Sequence, residues 1–319
     1  MVDSSNARVP IEPQRVDAPL TSSAVLLTLT LTDAPDAAER VREVLGALAD
    51  VTKNVAFRDL SASLACTVGI GSDAWDAVTG APRPAHLHPF REVRGSVHRA
   101  PGTPGDVLLH IRADRRDLCY ELERQLLGLF GDAVEVADET VGFRYFDVRD
   151  LLGFVDGTAN PVGPALPAAT IIGEEDPAGV GGSYLVVQKY VHDLAAWKGL
   201  TTEQQEAILG RTKSDNIELD DAAAPDQKAH KTLTTITDDE GVEHDILRDN
   251  MPFGSPGRGE FGTYFIGYAR ELWVIERMLE RMFIGDPPGK HDRLLDFSTA
   301  LTGGVFFVPS ASLLETFGD

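Results

Sequence analysis

The order of the predicted elements favours an α+β fold made of two ferredoxin-like halves, in the manner of a dimeric α+β barrel. Predicted strands outnumber long helices, and helices separate strands in both halves of the chain. No nucleotide-binding glycine pattern follows a strand and opens a helix, which argues against a Rossmann domain. We therefore expect antiparallel sheets with helices packed on them. The predicted boundaries are an arm at residues 1–22 and halves at 23–150 and 151–319.

The first half has the order strand, helix, strand, repeated once. A run of β-forming residues (AVLLTLTL) predicts a strand at 24–31, and apolar residues at helical spacing predict a helix at 36–48. Alternating apolar residues indicate β structure at 60–70, and residues 81–105, with five prolines, read as loop. The second set comprises a strand at 107–111, a helix at 114–130 and a strand within 134–148.

The second half opens with a connection rich in glycine and proline at residues 149–180. Loops of that length inside a compact domain are usually functional or disordered. A polar, irregular segment at 211–260 follows a predicted helix that Thr201 or Thr202 caps. The clearest helix is 271–283, with Leu272, Ile275, Leu279 and Met282 on one stripe. The remaining predicted strands are 183–191, 262–268 and 303–309.

Composition limits the possible partners and locations of the protein. The 319 residues carry a formal net charge of −21, which disfavours phosphate backbones and anionic membrane surfaces. We expect neither nucleic acid nor membrane as a partner. Two cysteines, Cys66 and Cys119, are too few for a disulfide framework and predict buried thiols. With no secretory signal and no run of membrane-spanning length, the expected location is the cytoplasm.

Three segments carry residues suited to chemistry, although each alone has an ordinary structural interpretation. Asp156 lies in GFVDGTANP, where flanking glycines allow a close backbone approach but also suit a simple turn. His230 lies in the polar run PDQKAHKTLTT, where a surface histidine is the usual interpretation. Arg248 and Asn250, in ILRDNMPFG, share a face of an extended strand, which is also typical of a surface salt bridge.

Taken together, these segments resemble the dye-decolourising peroxidases, most closely their shorter bacterial B-type. His230 follows Asp156 by 74 residues, and Arg248 follows His230 by 18. GRTKSDN (210–216) and HDRLLDFSTALTG (291–303) also resemble that family. The resemblance extends from about residue 24 to the end of the chain. Five matching segments in the same order are far more specific than any one of them.

The resemblance implies one haem b per chain, bound in the C-terminal half. His230 matches the proximal iron ligand, and imidazole is a ligand suited to haem iron. Asp292 matches the carboxylate that accepts the other ring N–H of that histidine, which raises its basicity. Asp296 is close enough in sequence to remain an alternative to Asp292. Arg211 matches a position that pairs with a haem propionate.

The resemblance also implies a peroxidase activity in which a ferryl intermediate oxidises dyes, phenols or metal ions. Asp156 and Arg248 match the distal aspartate and arginine, which act on hydrogen peroxide as a proton shuttle and a fixed positive charge. Asn250 can orient peroxide or a water molecule. Two alternatives remain: a haem- or iron-handling protein resembling a deferrochelatase, and a non-catalytic haem-binding protein. The distal pair favours the peroxidase, because transport needs no acid–base group.

Other side chains are weaker functional candidates. His86 and His88 form an HxH pair without a third ligand, within a proline-rich loop. Trp75, Trp197 and Trp273 could relay oxidising equivalents, but core packing is the commoner role of tryptophan.

Assembly is an expectation from the family and from the C-terminal residues. Leu313, Leu314 and Phe317 are predicted to pack back onto the fold as a short helix, with no flexible linker leading to a docking peptide. We therefore expect an enzyme that is free in the cytoplasm, outside any protein nanocompartment. We also expect a homo-oligomer.

Overall fold

The computed structural model describes residues 10–223 and 226–318. Its strands are β1 (Ser23–Leu31), β2 (Ala65–Gly71), β3 (Val93–Arg94), β4 (Arg99–Ala100), β5 (Val107–Ala113), β6 (Val134–Phe143), β7 (Ser183–His192), β8 (Ile236–Thr237), β9 (Glu243–His244), β10 (Leu247–Arg248), β11 (Met251–Ser255), β12 (Glu260–Ala269), β13 (Ser298–Ala300) and β14 (Gly304–Val308). Its α-helices are α1 (Ala37–Gly46), α2 (Leu48–Ala56), α3 (Ser72–Thr79), α4 (Arg116–Phe130), α5 (Ala165–Thr170), α6 (Leu194–Lys198), α7 (Thr202–Leu209), α8 (His230–Thr234), α9 (Leu272–Phe283) and α10 (Ala311–Glu315).

The N-terminal half is a four-stranded antiparallel sheet in the order β2-β5-β1-β6. Helix α4 packs across β1 and β5, and α1 and α2 pack beside it. Strand β1 is buried on both faces: Val25, Leu27 and Leu29 lie in the core beneath the helices, and Ala24 and Leu26 lie in the core on the other side. Burial on both faces explains why the sequence of β1 is nearly continuously apolar instead of alternating.

The C-terminal half repeats this arrangement in the order β14-β7-β12-β10, with β11 also pairing with β12. Strand β14 pairs with β2, so the two halves share one ten-stranded antiparallel sheet. The sheet curls until β6 lies against β11, where a Cβ on Gly142 would meet Met251. The predicted α+β fold of two ferredoxin-like halves is confirmed, and the curled sheet encloses a second apolar core.

Most predicted elements are present, with two corrections. Residues 60–62 form a 3₁₀ turn, so the predicted strand at 60–70 begins only at Ala65; Ser63 has a φ of 55°, which interrupts extended backbone. Residues 211–260, predicted to be irregular, contain short strands and a helix. The helix cap left open at 201–202 is Thr201, which forms a capping box with Gln204.

The ends of the described chain pack onto the fold. Gln14 is buried and donates hydrogen bonds to the carbonyls of Val68 and Pro309, both at 2.9 Å. Leu314 and Phe317 are buried, which confirms the predicted short C-terminal helix. Cys66 and Cys119 are free thiols. Cys119 is buried, as predicted, whereas Cys66 is only partly buried, and loss of hydration raises the pKa of each to about 12. Within the described residues, none of the helices is long and apolar enough to cross a membrane.

Candidate active site

A cavity of about 640 Å³ lies in the C-terminal half, between the sheet and helices α8 and α9. Five of the six predicted site residues line it: Asp156, Arg211, His230, Arg248 and Asn250. They come from sequence positions up to 94 residues apart. The cavity volume lies within the roughly 300–1,000 Å³ of pockets that bury small molecules and cofactors. Much of the wall is apolar, with side chains that include Phe154, Ile246, Phe265, Ile275, Met278, Leu279 and Met282.

His230 is the first residue of α8, and its ring is held by a buried carboxylate. The Nδ1 atom of His230 lies 2.6 Å from Oδ2 of Asp292, which is 0% exposed. The other oxygen of Asp292 accepts a hydrogen bond from the backbone N–H of Leu294. Asp296, the alternative that the sequence left open, instead contacts His98 and His291. The structure therefore places Asp292, and not Asp296, beside His230.

Two further histidines line the cavity, but their ring nitrogens are occupied. His192 makes hydrogen bonds of 2.9 Å through both nitrogens, to Ser298 and Thr263, and burial lowers its pKa to about 4. His244 contacts carboxylates through both of its nitrogens. For His230, Nδ1 is occupied and no partner of Nε2 is present among residues 10–223 and 226–318. His230 is thus the cavity histidine with a nitrogen available to a ligand.

Asp156 and Asn250 lie side by side on the cavity wall. The Nδ2 atom of Asn250 donates to Oδ1 of Asp156 at 3.3 Å, and the backbone N–H of Gly157 donates to the same oxygen at 2.7 Å. Gly157 has a φ of 74°, so the turn that aims the carboxylate suits glycine. These donors fix the orientation of Asp156 and leave its second oxygen open to the cavity.

Arg248 is a positive charge without a carboxylate within ion-pair distance among the described residues. Within the described parts of the chain, the guanidinium makes one hydrogen bond, a long one of 3.8 Å to the sulfur of Met278. Burial lowers the pKa of Arg248, and the charges of Asp156 and Asp245 oppose that shift. A guanidinium carries five N–H donors, so this side chain retains most of its capacity to bind a ligand.

Sequence reasoning missed the residue that positions Arg248. The side chain of Asn160 accepts a hydrogen bond from the backbone N–H of Arg248 at 2.9 Å and donates one to its carbonyl at 2.7 Å. Asn160 thereby makes the two backbone hydrogen bonds that a neighbouring strand would otherwise make with Arg248. The residue stands in the GFVDGTANP segment, but nothing in the spacing of 88 residues could have paired it with Arg248.

Asp150 is another residue that sequence reasoning missed, and its titratable carboxyl group lies on the cavity wall. Burial raises its pKa to about 7, and the charge of Asp156 adds to that effect. The backbone N–H groups of Gly153 and Phe154 donate to Oδ1 of Asp150 at 2.8 and 2.9 Å. A carboxyl group in this state holds or releases a proton near neutral pH.

Arg211 lies at the cavity edge, two residues after the last residue of α7. It donates to the carboxylate of Glu218 at 2.9 Å and to the carbonyl of Asn216 at 3.2 Å. A carboxylate-bearing ligand at this edge would therefore compete with Glu218 for the guanidinium.

The weaker sequence candidates lie outside the cavity wall. His88 pairs with Glu276 at 3.2 Å, and the structure brings no third metal ligand to the HxH pair among the described residues. Trp75 and Trp197 are buried core residues. Trp273 is exposed on α9, with its ring centroid 4.9 Å from that of the cavity-lining His244.

Two family models match this chain, and together they account for most of it. The model described as "Dyp-type peroxidase, N-terminal" matches residues 13–144, and "Dyp-type peroxidase, C-terminal" matches residues 147–313. The chain belongs to the Dyp-type peroxidase family. The resemblance found in the sequence is thereby confirmed, and so is the enzyme class that it implied.

Curated relatives of this Dyp-type peroxidase are named dye-decolorizing peroxidases. That of Mycobacterium tuberculosis is 52% identical over 96% of this chain and 90% of the relative. That of Brevibacterium linens is 54% identical over 95% and 82%, respectively. Deferrochelatases are more distant: one from Escherichia coli is 24% identical over 77% of this chain and 65% of the relative.

Solved structures show the same fold. DypB from Rhodococcus jostii matches with a TM-score of 0.93 and 54% identity, over 98% of this chain and 100% of that one. Variants of DypB are described in complex with heme and, in one case, with manganese. The encapsulated Dyp-type peroxidase of Mycobacterium smegmatis matches with a TM-score of 0.92 and 51% identity, over 96% and 98% of the two chains.

Proposed function

We propose that this Dyp-type peroxidase holds haem b through His230, reduces hydrogen peroxide and oxidises dyes, phenols or other small one-electron donors. The observation that carries the proposal is the His230–Asp292 contact of 2.6 Å in a cavity that Arg248 and Asp156 also line. The apolar wall suits a flat macrocycle, and the free Nε2 atom suits iron. When bound, haem supplies the iron chemistry that takes two oxidising equivalents from peroxide and passes them on singly.

Asp292 keeps the imidazole of His230 oriented and electron-rich. Its carboxylate accepts the Nδ1–H, which fixes Nε2 as the nitrogen that binds metal. Because Asp292 is buried and also accepts the Leu294 N–H, it has little freedom to turn away. Arg211 would hold a propionate in place of Glu218.

Asp156, Arg248 and Asn250 act on the peroxide itself. Peroxide must lose a proton from one oxygen and gain one on the other before its O–O bond breaks. The open oxygen of Asp156 can accept that proton and return it, while Asn250 holds the opposite oxygen of the carboxylate. Arg248 provides fixed positive charge where the departing oxygen becomes negative. A protein that only transports haem needs none of these groups, which favours the peroxidase over iron handling.

The absorption spectrum of the purified ferric protein, before and after one equivalent of peroxide, tests this function. We expect a haem Soret band that changes within seconds of mixing. Retention of the ferric spectrum for minutes would instead favour a haem-handling or non-catalytic haem-binding protein.

The His230→Ala variant tests the ligand assignment. We expect loss of bound haem or of the ferric spectrum, because both ring nitrogens of His192 and of His244 already have protein partners. The matched control is His244→Ala, which removes a cavity histidine engaged by Asp238 and Glu271 and should retain haem. Full haem content and activity in His230→Ala would contradict the assignment.

The Arg248→Leu variant tests the peroxide-activating role. The rate of reaction with peroxide, followed by stopped-flow absorbance, should fall by about 10² or more, as for other lost electrostatic donors. Haem content should be retained. An unchanged rate in both Arg248→Leu and Asp156→Ala would contradict a role for this pair.

Organisation and assembly are part of the same proposal. We propose an arm at 1–22, of which residues 1–9 lie outside the described residues, and halves at 23–150 and 151–319. The family models that meet between residues 144 and 147 support the boundary between the halves. We propose a homo-oligomer in the cytoplasm, and light scattering coupled to size-exclusion chromatography tests the first part. A monomer at micromolar concentration would refute it.

Co-expression with a compartment shell protein tests whether the chain shares the encapsulation of its M. smegmatis relative.

A further inference from the structure

Three potential metal ligands converge outside the haem cavity, at the end of the β3–β4 hairpin. The Nε2 atom of His98 lies 3.0 Å from Oδ1 of Asp296, and Nε2 of His291 lies 2.9 Å from the same oxygen. The rings of the two histidines are in contact, with centroids 4.7 Å apart. None of the three residues lines the cavity or takes part in the proposed peroxide chemistry.

We propose that His98, His291 and Asp296 form a second metal site, for one divalent first-row transition ion such as Zn²⁺. Two imidazoles and one carboxylate are a donor set that such ions favour, whereas Mg²⁺ and Ca²⁺ prefer oxygen. This is the one group of three such residues that the described parts of the chain bring together.

The separations fit an ion. One candidate donor atom from each residue lies within 4.8 Å of the others. An ion about 2.1 Å from two ligands at the tetrahedral angle that Zn²⁺ prefers separates them by about 3.4 Å, so the nitrogen–oxygen distances of 3.0 and 2.9 Å would each widen by about 0.4–0.5 Å. The site can therefore receive an ion with only small side-chain shifts.

The surroundings support ligation by Asp296. The Nε atom of Arg293 donates to Oδ2 of Asp296 at 3.0 Å, which leaves Oδ1 available to an ion. On binding, the two Nε2–H hydrogen bonds to Oδ1 would be given up, because each imidazole ligates through an Nε2 atom that carries no proton. A ligating carboxylate is commonly held in this way through its second oxygen. The side chain of Asp296 is 30% exposed, so water can complete the coordination shell. The hydrogen bonds from His98, His291 and Arg293 also hold the pKa of Asp296 low, at about 2, so the carboxylate is charged at neutral pH.

The position of the site gives it a structural role. His291 immediately precedes Asp292, and Asp296 ends the 3₁₀ turn that Asp292 caps. His98 belongs to the separate segment that joins β3 and β4. An ion would therefore tie the hairpin to the segment that presents Asp292 to His230. The ion is distinct from haem iron, and its binding does not depend on the roles proposed for Asp156, Arg248 and Asn250.

Calorimetric titration of the haem-loaded, chelator-treated protein with Zn²⁺ tests the proposal, since bound haem keeps His230 occupied. We expect one tight ion per chain. His98→Ala and Asp296→Asn should each weaken Zn²⁺ binding at least about tenfold. Loss of a residue that merely hydrogen-bonds to a metal ligand already costs about that much affinity, and loss of a ligand should cost no less. The matched control is His88→Ala, which removes another partly buried histidine paired with a carboxylate and should leave binding unchanged. A wild-type Kd weaker than about 1 mM, or equal affinity in cluster and control variants, would overturn the proposal.

Crystals of the wild-type protein grown with Zn²⁺ provide a test that does not depend on a substituted protein folding correctly. Anomalous scattering should place the ion between His98, His291 and Asp296. Ions found only elsewhere would overturn the assignment. Because an ion bound to the folded state alone raises stability, Zn²⁺ should also raise the Tm of the wild type and of His88→Ala but not that of His98→Ala.

Discussion

Whether a ring nitrogen already has a protein partner determines which cavity histidine can bind a metal. Three histidines line the cavity, and residue type does not distinguish them. His192 lies between two hydroxyl groups, and His244 lies between two carboxylates. His230 has one nitrogen held by Asp292 and one without a protein partner among the described residues. At the scale of the residue, the partners of a side chain therefore determine its chemical role.

Glu123 on α4 shows the same principle in a residue far from the cavity. It is buried, and its Oε1 atom has no hydrogen-bond partner among the described residues. Burial, with a smaller contribution from Glu139, raises its pKa to about 7. The unfolded chain releases this proton near pH 4.5, whereas the folded chain holds it until about pH 7. Glu123 should therefore lower the stability of the fold progressively as the pH rises through that window.

Glu123→Gln should consequently stabilise the protein relative to wild type at pH 8 and have little effect at pH 4.5. Urea unfolding at the two pH values measures the difference. Glu121→Gln is the matched control, because Glu121 lies on the same helix, is only partly buried and has its pKa lowered to about 2 by Arg124. That control should show no gain at pH 8. An equal effect of Glu123→Gln at both pH values would contradict the raised pKa.

At the scale of the element, the end of β10 and the break before β11 present two side chains of the proposed active site. Arg248 and Asn250 line the cavity, as the i and i+2 positions of an extended segment predict. Asp249 between them is buried with Arg112 instead. Side chains replace the missing strand contacts: Asn250 accepts the N–H of Ile266, and Asn160 bonds both backbone groups of Arg248.

Asn160→Ala should therefore slow the reaction with peroxide without removing a group that touches it. A displacement of about 1 Å in a catalytic group can cost on the order of 10²-fold in rate, so we expect a loss between about tenfold and that value. Stopped-flow absorbance measures the rate, and the Soret band reports haem retention. The control is Thr158→Val. Thr158 lies in the same loop as Asn160, and the substitution removes its hydrogen bond from Asn216. Equal rates in the two variants would show that Asn160 does not position Arg248.

At the scale of the whole molecule, an ion pair inside the curled sheet joins the two halves. Arg112 on β5 donates to Asp249 at 2.7 Å, and both side chains are almost fully buried. Burial raises the pKa of Asp249, and Arg112 opposes that rise. Asp249 Oδ1 and Arg112 Nε have no partner among the described residues. The pair thus holds the segment that contains Arg248 against the N-terminal half, although burying the two charges costs free energy.

Arg112→Met should destabilise the protein by about 3–5 kcal/mol, because it leaves the carboxylate of Asp249 buried and unpaired. The double variant Arg112→Met/Asp249→Leu should recover much of that loss. Arg124→Met, which breaks the exposed pair with Glu121, should cost less than about 1 kcal/mol. Denaturant unfolding at pH 7 measures all three. Comparable losses in Arg112→Met and Arg124→Met would mean that the buried pair matters no more to stability than an exposed one.

The sequence by itself determined the element order, and hence the two ferredoxin-like halves. Local periodicity gave α9 its buried stripe, and local residue type limited the cap of α7 to Thr201 or Thr202, because these features depend on neighbours within a few residues. The five ordered segments gave the family. The turn at residues 60–62 and the short strands after residue 211 escaped prediction, because tertiary contacts override weak local preference there.

Only the tertiary structure decided which groups meet. It placed Asp292 beside His230 and Asp296 beside His98, although both aspartates lie within a single short turn. It brought Asn160 to the backbone of Arg248 and buried Asp150 enough to raise its pKa. Hydrogen bonds and burial depend on distances across the fold, and positions far apart in sequence carry no local signal of such distances.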